Sequence, residues 1–116
     1  MSSTHFSSLI SKRLHIDVLL LESTHEIESI LINSTDLVLV IDFLRRDPDA
    51  YMDLLLDIFC VDHKIFYHLR SSKLGYRLHL SIESDILHVP SLRQLYPGAL
   101  WLEHEIQEQY GVEICT

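Results

Sequence analysis

Residues 76–82, reading Tyr-Arg-Leu-His-Leu-Ser-Ile, constrain the fold of this chain more than any other stretch. Tyr76, Leu78, Leu80 and Ile82 alternate with Arg77, His79 and Ser81. A period of two places the apolar set on one side of a strand and the polar set on the other. That is an antiparallel strand with one wet face, and its dry face needs neighbouring strands and a cover.

Two further strands are expected at residues 56–62 and 64–69, with Gly75 making the loop into the alternating segment. Upstream, residues 15–21 alternate at first and then become fully apolar, which predicts a strand buried on both faces at its end. Residues 26–32 predict a second strand, with a short helix as the rival reading. The serine-rich residues 1–11 are expected to be loose.

The cover comes from helices. Asn33, Ser34, Thr35 and Asp36 are a run of N-cap residues. Leu37, Val40, Ile41 and Leu44 then follow at the spacing of one helix face, Arg45 and Arg46 favour the C-terminal end of the dipole, and Asp47-Pro48 stops the helix. Asp49 is expected to cap a short helix running to Leu54 or Leu55. Ser84-Asp85 reads as a turn, and Ser91 as the cap of a short helical turn over residues 92–96. Pro97 and Gly98 break the chain before the last helix. Gly111 ends that helix in the left-handed conformation, with Val112 as its apolar clasp. On this helix Ala99, Leu102, Ile106 and Tyr110 form the expected core stripe, and Trp101, Glu105 and Glu108 fall roughly opposite. Either the preceding turn (Leu92, Leu95, Tyr96) or a partner protein must cover that indole. The fold class is therefore α+β: a small, largely antiparallel sheet with helices packed against it, ending in an amphipathic C-terminal helix. The 116 residues are read as one domain.

Charge narrows the function. Seventeen acids against nine Lys and Arg give a net charge of −8, with eight histidines uncharged in that sum. This argues against a nucleic-acid binder and against docking on an anionic membrane through a basic patch. Cys60 and Cys115 are isolated, so a reducing compartment is expected. No apolar run approaches the ~20 residues that span a bilayer, so no direct membrane insertion is expected. Lys12 and Arg13 follow a weakly apolar patch rather than precede it, the wrong order for a secretory signal.

Enzyme chemistry finds little support. Asp62, His63 and His68 suggest a metal site only loosely, because the spacing of known metal motifs is missing. Glu103 and Glu105 diverge by about 200° on a helix, so they do not converge on one substrate. Cys60 reads as a small hydrophobe in an apolar strand. A small hydrolase or metalloenzyme is the least supported reading.

Several segments, in order and spacing, resemble a known family. They are Phe43-Leu44-Arg45-Arg46-Asp47-Pro48; residues 54–62; Phe66-Tyr67-His68-Leu69-Arg70-Ser71; Val89-Pro90-Ser91-Leu92; and Tyr96-Pro97-Gly98-Ala99-Leu100-Trp101-Leu102-Glu103-His104-Glu105. Over residues 36–113 the chain resembles the NuoC family, the C subunits of respiratory NADH:quinone oxidoreductase. Related subunits occur in membrane-bound NiFe hydrogenases, formate hydrogenlyase and chloroplast complexes. The resemblance implies an accessory subunit without a cofactor or activity of its own. It would pack against the large hydrogenase-like subunit beside the iron–sulfur subunits, on the cytoplasmic face of a membrane or the matrix or stromal side in an organelle. The partner interface is then expected at Trp101, Glu103, His104, Glu105 and Glu108. Structural roles are expected at Pro97, Tyr110, Gly111 and Asp62, the last by bonding amides of the hairpin turn at His63-Lys64. His104 stands where the family usually has Arg, and Glu108 where it has Asp. The chain stops at Thr116 where the family continues into a Pro- and Arg-containing tail, which is expected to remove contacts to the neighbouring subunit. The alternative is a free-standing protein-binding or regulatory module of the same fold, sensing pH through its histidines.

Overall fold

The computed structural model describes residues 6–24, 27–83 and 88–115. In chain order the elements are α1 (Phe6–Leu14), β1 (Leu19–Ser23), β2 (Ile27–Leu31), α2 (Leu37–Arg46), β3 (Leu54–Val61), β4 (Lys64–Arg70), β5 (Arg77–Glu83), β6 (His88–Pro90), α3 (Ala99–Tyr110) and β7 (Glu113–Cys115). A short 3₁₀ turn, Ser34–Asp36, leads into α2.

Five strands form one sheet in the order β1-β2-β5-β4-β3. All its pairs are antiparallel except β2 with β5, so the sheet is the largely antiparallel one the alternation predicts. The parallel pair arises because α2, β3 and β4 intervene between β2 and β5, a crossover long enough to return the chain in the same direction. β6 and β7 form a separate parallel ribbon, His88 to Glu113 through Pro90 to Cys115.

The core lies on one side of the sheet. Leu78, Leu80 and Ile82 of β5 and Ile65, Tyr67 and Leu69 of β4 are buried there with Ile30 of β2. The helices close over them with Phe6 and Ile10 of α1, Leu37, Val40, Ile41 and Leu44 of α2, and Ala99 and Ile106 of α3. Each of the buried Leu, Ile, Val and Phe side chains stabilises the fold by roughly 1.5–3 kcal/mol against full exposure. The β4 residues in between, Phe66, His68 and Arg70, face the other side and are only half covered.

Several expectations are corrected. Residues 6–11, expected to be loose, belong to α1. Its first two amides donate to the buried carboxylate of Glu28, Phe6 N to Oε1 at 2.8 Å and Ser7 N to Oε2 at 3.0 Å. A glutamate on β2 thus satisfies the first two amides of this helix. The strand expected at residues 15–21 begins only at Leu19, because His15 takes a positive φ of 56° after the helix and redirects the chain. That strand is also not buried: β1 is an edge, and Leu19, Leu20 and Leu21 are all exposed. The short helix expected after Asp49 does not form. Asp47 instead closes a turn, accepting from Ala50 N at 3.1 Å and Tyr51 N at 2.7 Å, and β3 starts at Leu54. Residues 84 and 85, read as a turn, lie outside the described residues.

The β3–β4 hairpin turns on Asp62 and His63 alone, since Val61 pairs with Lys64. Both central residues have positive φ, 51° and 62°, the geometry that matches the twist of a two-residue hairpin. Asp62 therefore acts through the left-handed conformation that aspartate tolerates better than most residues, rather than by holding turn amides.

Candidate docking site

Helix α3 is set by the breaks on either side of it. The turn before it closes through Leu95 N and Tyr96 N on Leu92 O and Ala99 N on Tyr96 O, all at 2.9 Å. The Tyr96 hydroxyl donates to Met52 O at 2.6 Å, which ties this turn to the entry of β3. Burial, chiefly, pushes that phenol well above the usual tyrosine range. At the far end Gly111 has φ 71° and ψ 18°, and its N–H donates to Gln107 O at 2.9 Å, a left-handed cap. Val112 packs against the core just beyond.

The helix has two unlike sides. Ala99 and Ile106 are buried, and Leu102 packs against the core. Tyr110 departs from the expected stripe: it is exposed in the last turn, where it borders a hollow with Cys60, Val61, Asp62, His63 and Val112 at the tip of the hairpin. On the outer side Leu100, Trp101, His104, Glu105 and Glu108 all face solvent. Trp101 is 64% exposed and Leu100 57%. The Trp101 and His104 rings lie 6.1 Å apart at 36°, so the indole leans toward its helical neighbour, and the preceding turn does not cover it. Leu92 and Tyr96 of that turn are instead spent in the core.

Glu103 does not join that outer side. It is 3% exposed, and its carboxylate accepts from Ser91 Oγ and Leu92 N, each at 2.7 Å. These are short, charge-assisted bonds that pin the residue 91–96 turn against α3. The expectation that Glu103 points outward is therefore corrected. Angle foretold this: at 100° per residue Glu103 lies about 40° from Ala99, well inside the core stripe. A stripe chosen by residue type passes over it because it is charged. The pair Glu103 and Glu105 do part to opposite sides, as their spacing requires.

Between the turn, β7 and α3 runs a groove of about 330 Å³, lined by Ser91, Arg93, Leu100, Trp101, His104 and Ile114 among others. Leu100, Arg93 and Ile114 are residues that sequence reasoning did not single out. Leu100 was legible as an apolar residue off the core stripe, whereas Arg93 and Ile114 are brought there only by the turn and by β7. An indole and a leucine beside a groove with one guanidinium can bind a protein surface. Among the described residues no group of three or more His, Cys, Asp or Glu gathers as a metal would need. No helix among them is long and apolar enough to cross a membrane.

Known proteins resemble this chain in sequence and in fold. The family described as "Respiratory-chain NADH dehydrogenase, 30 Kd subunit" matches residues 30–115. Among curated relatives, the C subunit of NADH-quinone oxidoreductase from Xanthobacter autotrophicus is 35% identical over 89 residues, covering 70% of this chain and 43% of the relative. The C/D subunit of the same enzyme from Psychrobacter arcticus is 29% identical over 103 residues, 75% of this chain and 17% of that longer protein. The chain thus spans less than half the length of these curated relatives. Among solved structures, a chain of an archaeal membrane-bound sulfane sulfur reductase, a respiratory membrane complex, superposes with TM-score 0.72 at 18% identity, over 92% of this chain and 66% of that one. A trypsin-resistant fragment of Nqo5 gives 0.71 at 13% identity, over 92% and 91%. At such identities the two structures speak for the fold alone, and both support the α+β arrangement described above.

Proposed function

This chain belongs to the respiratory-chain NADH dehydrogenase 30 Kd subunit family, and from that premise we propose that it is a non-catalytic accessory subunit of a membrane-associated respiratory electron-transfer complex. Its work is positional. The sheet and core hold α3 rigid, and the outer side of α3 docks on the large hydrogenase-like subunit, beside the iron–sulfur subunits and on the cytoplasmic face of the membrane. The chain associates peripherally, through protein contacts.

The observation that carries this reading is Trp101, exposed beside Leu100 at the mouth of the groove. Tryptophan is costly to leave in water and is over-represented among residues that dominate binding energy at interface centres. His104, Glu105 and Glu108 surround it as a polar rim. Glu103 keeps a part in the interface, but as a positioning residue: by fixing the turn that carries Arg93 it shapes one wall of the groove.

Co-purification with a tagged large subunit, together with quinone-linked turnover of the assembled complex, tests the proposal. Trp101→Ala is expected to weaken association by about 2–4 kcal/mol. Because the side chain is exposed, the isolated variant should keep its circular dichroism. Assembly and turnover both untouched by Trp101→Ala would remove the proposal.

A further inference from the structure

The opposite side of the sheet, which the α3 docking reading leaves idle, carries an unusual block of side chains. With Ile65, Tyr67 and Leu69 turned into the core, Phe66, His68 and Arg70 of β4 share the outer face with Arg77 and His79 of β5. The register sets His68 opposite His79 and Arg70 opposite Arg77. The two imidazoles meet edge to face with centroids 4.7 Å apart. In a chain of net charge −8, these four nitrogen-bearing groups form a compact two-by-two array. Like charges directly across an antiparallel pair are destabilising, so folding alone gives no reason for Arg77 to face Arg70.

The array is also short of partners. Arg70 Nε and His68 Nε2 are buried and have no hydrogen-bond acceptor among the described residues. Of the acids nearby, Glu22 acts on His79 and lines the adjoining hollow with Asp62, while Asp57 and Asp53 are engaged within the chain. Asp57, opposite His68, accepts from its neighbour Ile58 N at 2.8 Å. Asp53, close to Arg70, accepts from Ser72 N at 2.9 Å and Ser72 Oγ at 2.5 Å. The ion pairs found among the described residues involve Arg13, Arg45 and Arg46, and neither Arg70 nor Arg77.

Beside the array the same face opens into a hollow of about 500 Å³, lined by Leu21, Ile27, Phe59, Phe66 and His79 among others. Phe59 and Phe66 stack there with centroids 5.3 Å apart and planes nearly parallel. Alternate residues along β4 step by about 7 Å, so one extended segment can reach from Phe66 past His68 to Arg70.

We propose that this face binds an acidic segment of a second protein, seating a carboxylate on Arg70 and Arg77 and an apolar side chain between Phe59 and Leu21. Two guanidinium forks match carboxylate geometry, and the apolar hollow asks for a side chain that a nucleic acid lacks. The net negative charge repels a polyanion or an anionic bilayer at long range, while a short acidic stretch can place its carboxylate at Arg70 and Arg77 and turn only its apolar side chain toward the hollow that Glu22 and Asp62 border. The site is distinct from the α3 face and places a second neighbour on the reverse of the sheet.

Binding should also take up protons. Burial holds both imidazoles below their usual range, His68 further so by His79 and Arg77, while Asp57 opposes this for His68 and Glu22 for His79. An arriving carboxylate favours the charged imidazoles, so affinity is expected to rise as pH falls from about 7 to about 6.

The test is an NMR titration of the full ¹⁵N-labelled chain with the peptide acetyl-Asp-Glu-Leu-Phe-amide. The expected result is shifts in β4 and β5 amides, tighter binding at the lower pH, and affinity weakened on the order of tenfold in Arg77→Gln and further in Arg70→Gln/Arg77→Gln. Arg77 is exposed, so its single variant keeps the fold whatever the double variant does. Trp101→Ala should leave this binding unchanged, which separates it from the α3 interface. The proposal is overturned by any of four results: no shifts at millimolar peptide, equal binding of a Lys-Lys-Leu-Phe peptide, full binding in Arg77→Gln, or equal shifts from inorganic phosphate or phosphatidylglycerol vesicles.

Discussion

Replacing Glu103 probes the join between α3 and the turn before it. The carboxylate is 3% exposed and accepts two bonds of 2.7 Å, from Ser91 Oγ and Leu92 N. Hydrogen bonds to a charged group contribute roughly 1.5–3 kcal/mol each, and a buried donor left unpaired costs about 1–3 kcal/mol. Alanine removes both acceptors. The Ser91 hydroxyl can rotate toward other acceptors, but the Leu92 amide is fixed in the turn and stays unpaired. The loss should therefore be about 3–4 kcal/mol, a large part of the roughly 6–17 kcal/mol that a domain of this size has in total. Glutamine separates charge from shape. Its amide oxygen can still accept from Leu92 N while its NH₂ donates to the Ser91 hydroxyl, so only the charge assistance is lost. Glu103→Gln should cost about 1–2 kcal/mol. Urea unfolding followed by circular dichroism measures both. In the Glu103→Ala background Ser91→Ala should cost less than it does in the native chain, since only the long, exposed bond that Ser91 Oγ accepts from Arg93 N at 3.2 Å is left to lose. An alanine cost below about 1 kcal/mol, or a glutamine variant as damaged as alanine, would refute this account of the clamp.

Other expectations follow from single features. Gly111→Ala should cost about 1 kcal/mol in thermal or urea unfolding. The cost is purely one of backbone conformation, since φ is 71° and an added Cβ would meet nothing within 4 Å; Gly111→Asn should cost less. Glu28→Ala should loosen α1 selectively, with amide-exchange protection lost over Phe6–Leu14 before the β4 and β5 amides, because Glu28 alone receives the first two amides of that helix. Stability should fall with acidity. His68 and His79 are held below the usual imidazole range in the folded chain, so the unfolded chain binds more protons just below about pH 6.5. The stabilisation is therefore present above that pH and is lost as pH falls toward the folded-state values. His68→Gln/His79→Gln should flatten urea midpoints measured between about pH 7 and pH 5.

Much of the architecture is present in local pattern. The period-two run over residues 76–82 became β5, the i, i+3, i+4, i+7 set from Leu37 to Leu44 became α2, and Gly111 ended α3 in the left-handed conformation. Each of these depends on neighbours within a turn or two, and short-range sterics and periodicity decide them. The segments that resemble the NuoC family are of the same kind, legible as ordered residues without coordinates.

The misreadings share another cause. Glu103, expected to face outward, is buried because another segment, the residue 91–92 turn, supplies its hydrogen-bond donors, as the start of α1 does for Glu28. The triple leucine of β1 looks like core, yet it lies at a sheet edge, because strand order places β5 on only one side of β2. The opposition of Arg70 to Arg77 exists only once β4 and β5 take their register. Sequence alone determined the strongly periodic elements β5 and α2 and the stop of α3 at Gly111, since those follow from chain geometry over a few residues. Tertiary structure decided where charges end up and which faces stay open, since burial and partnership depend on segments brought together across the whole chain.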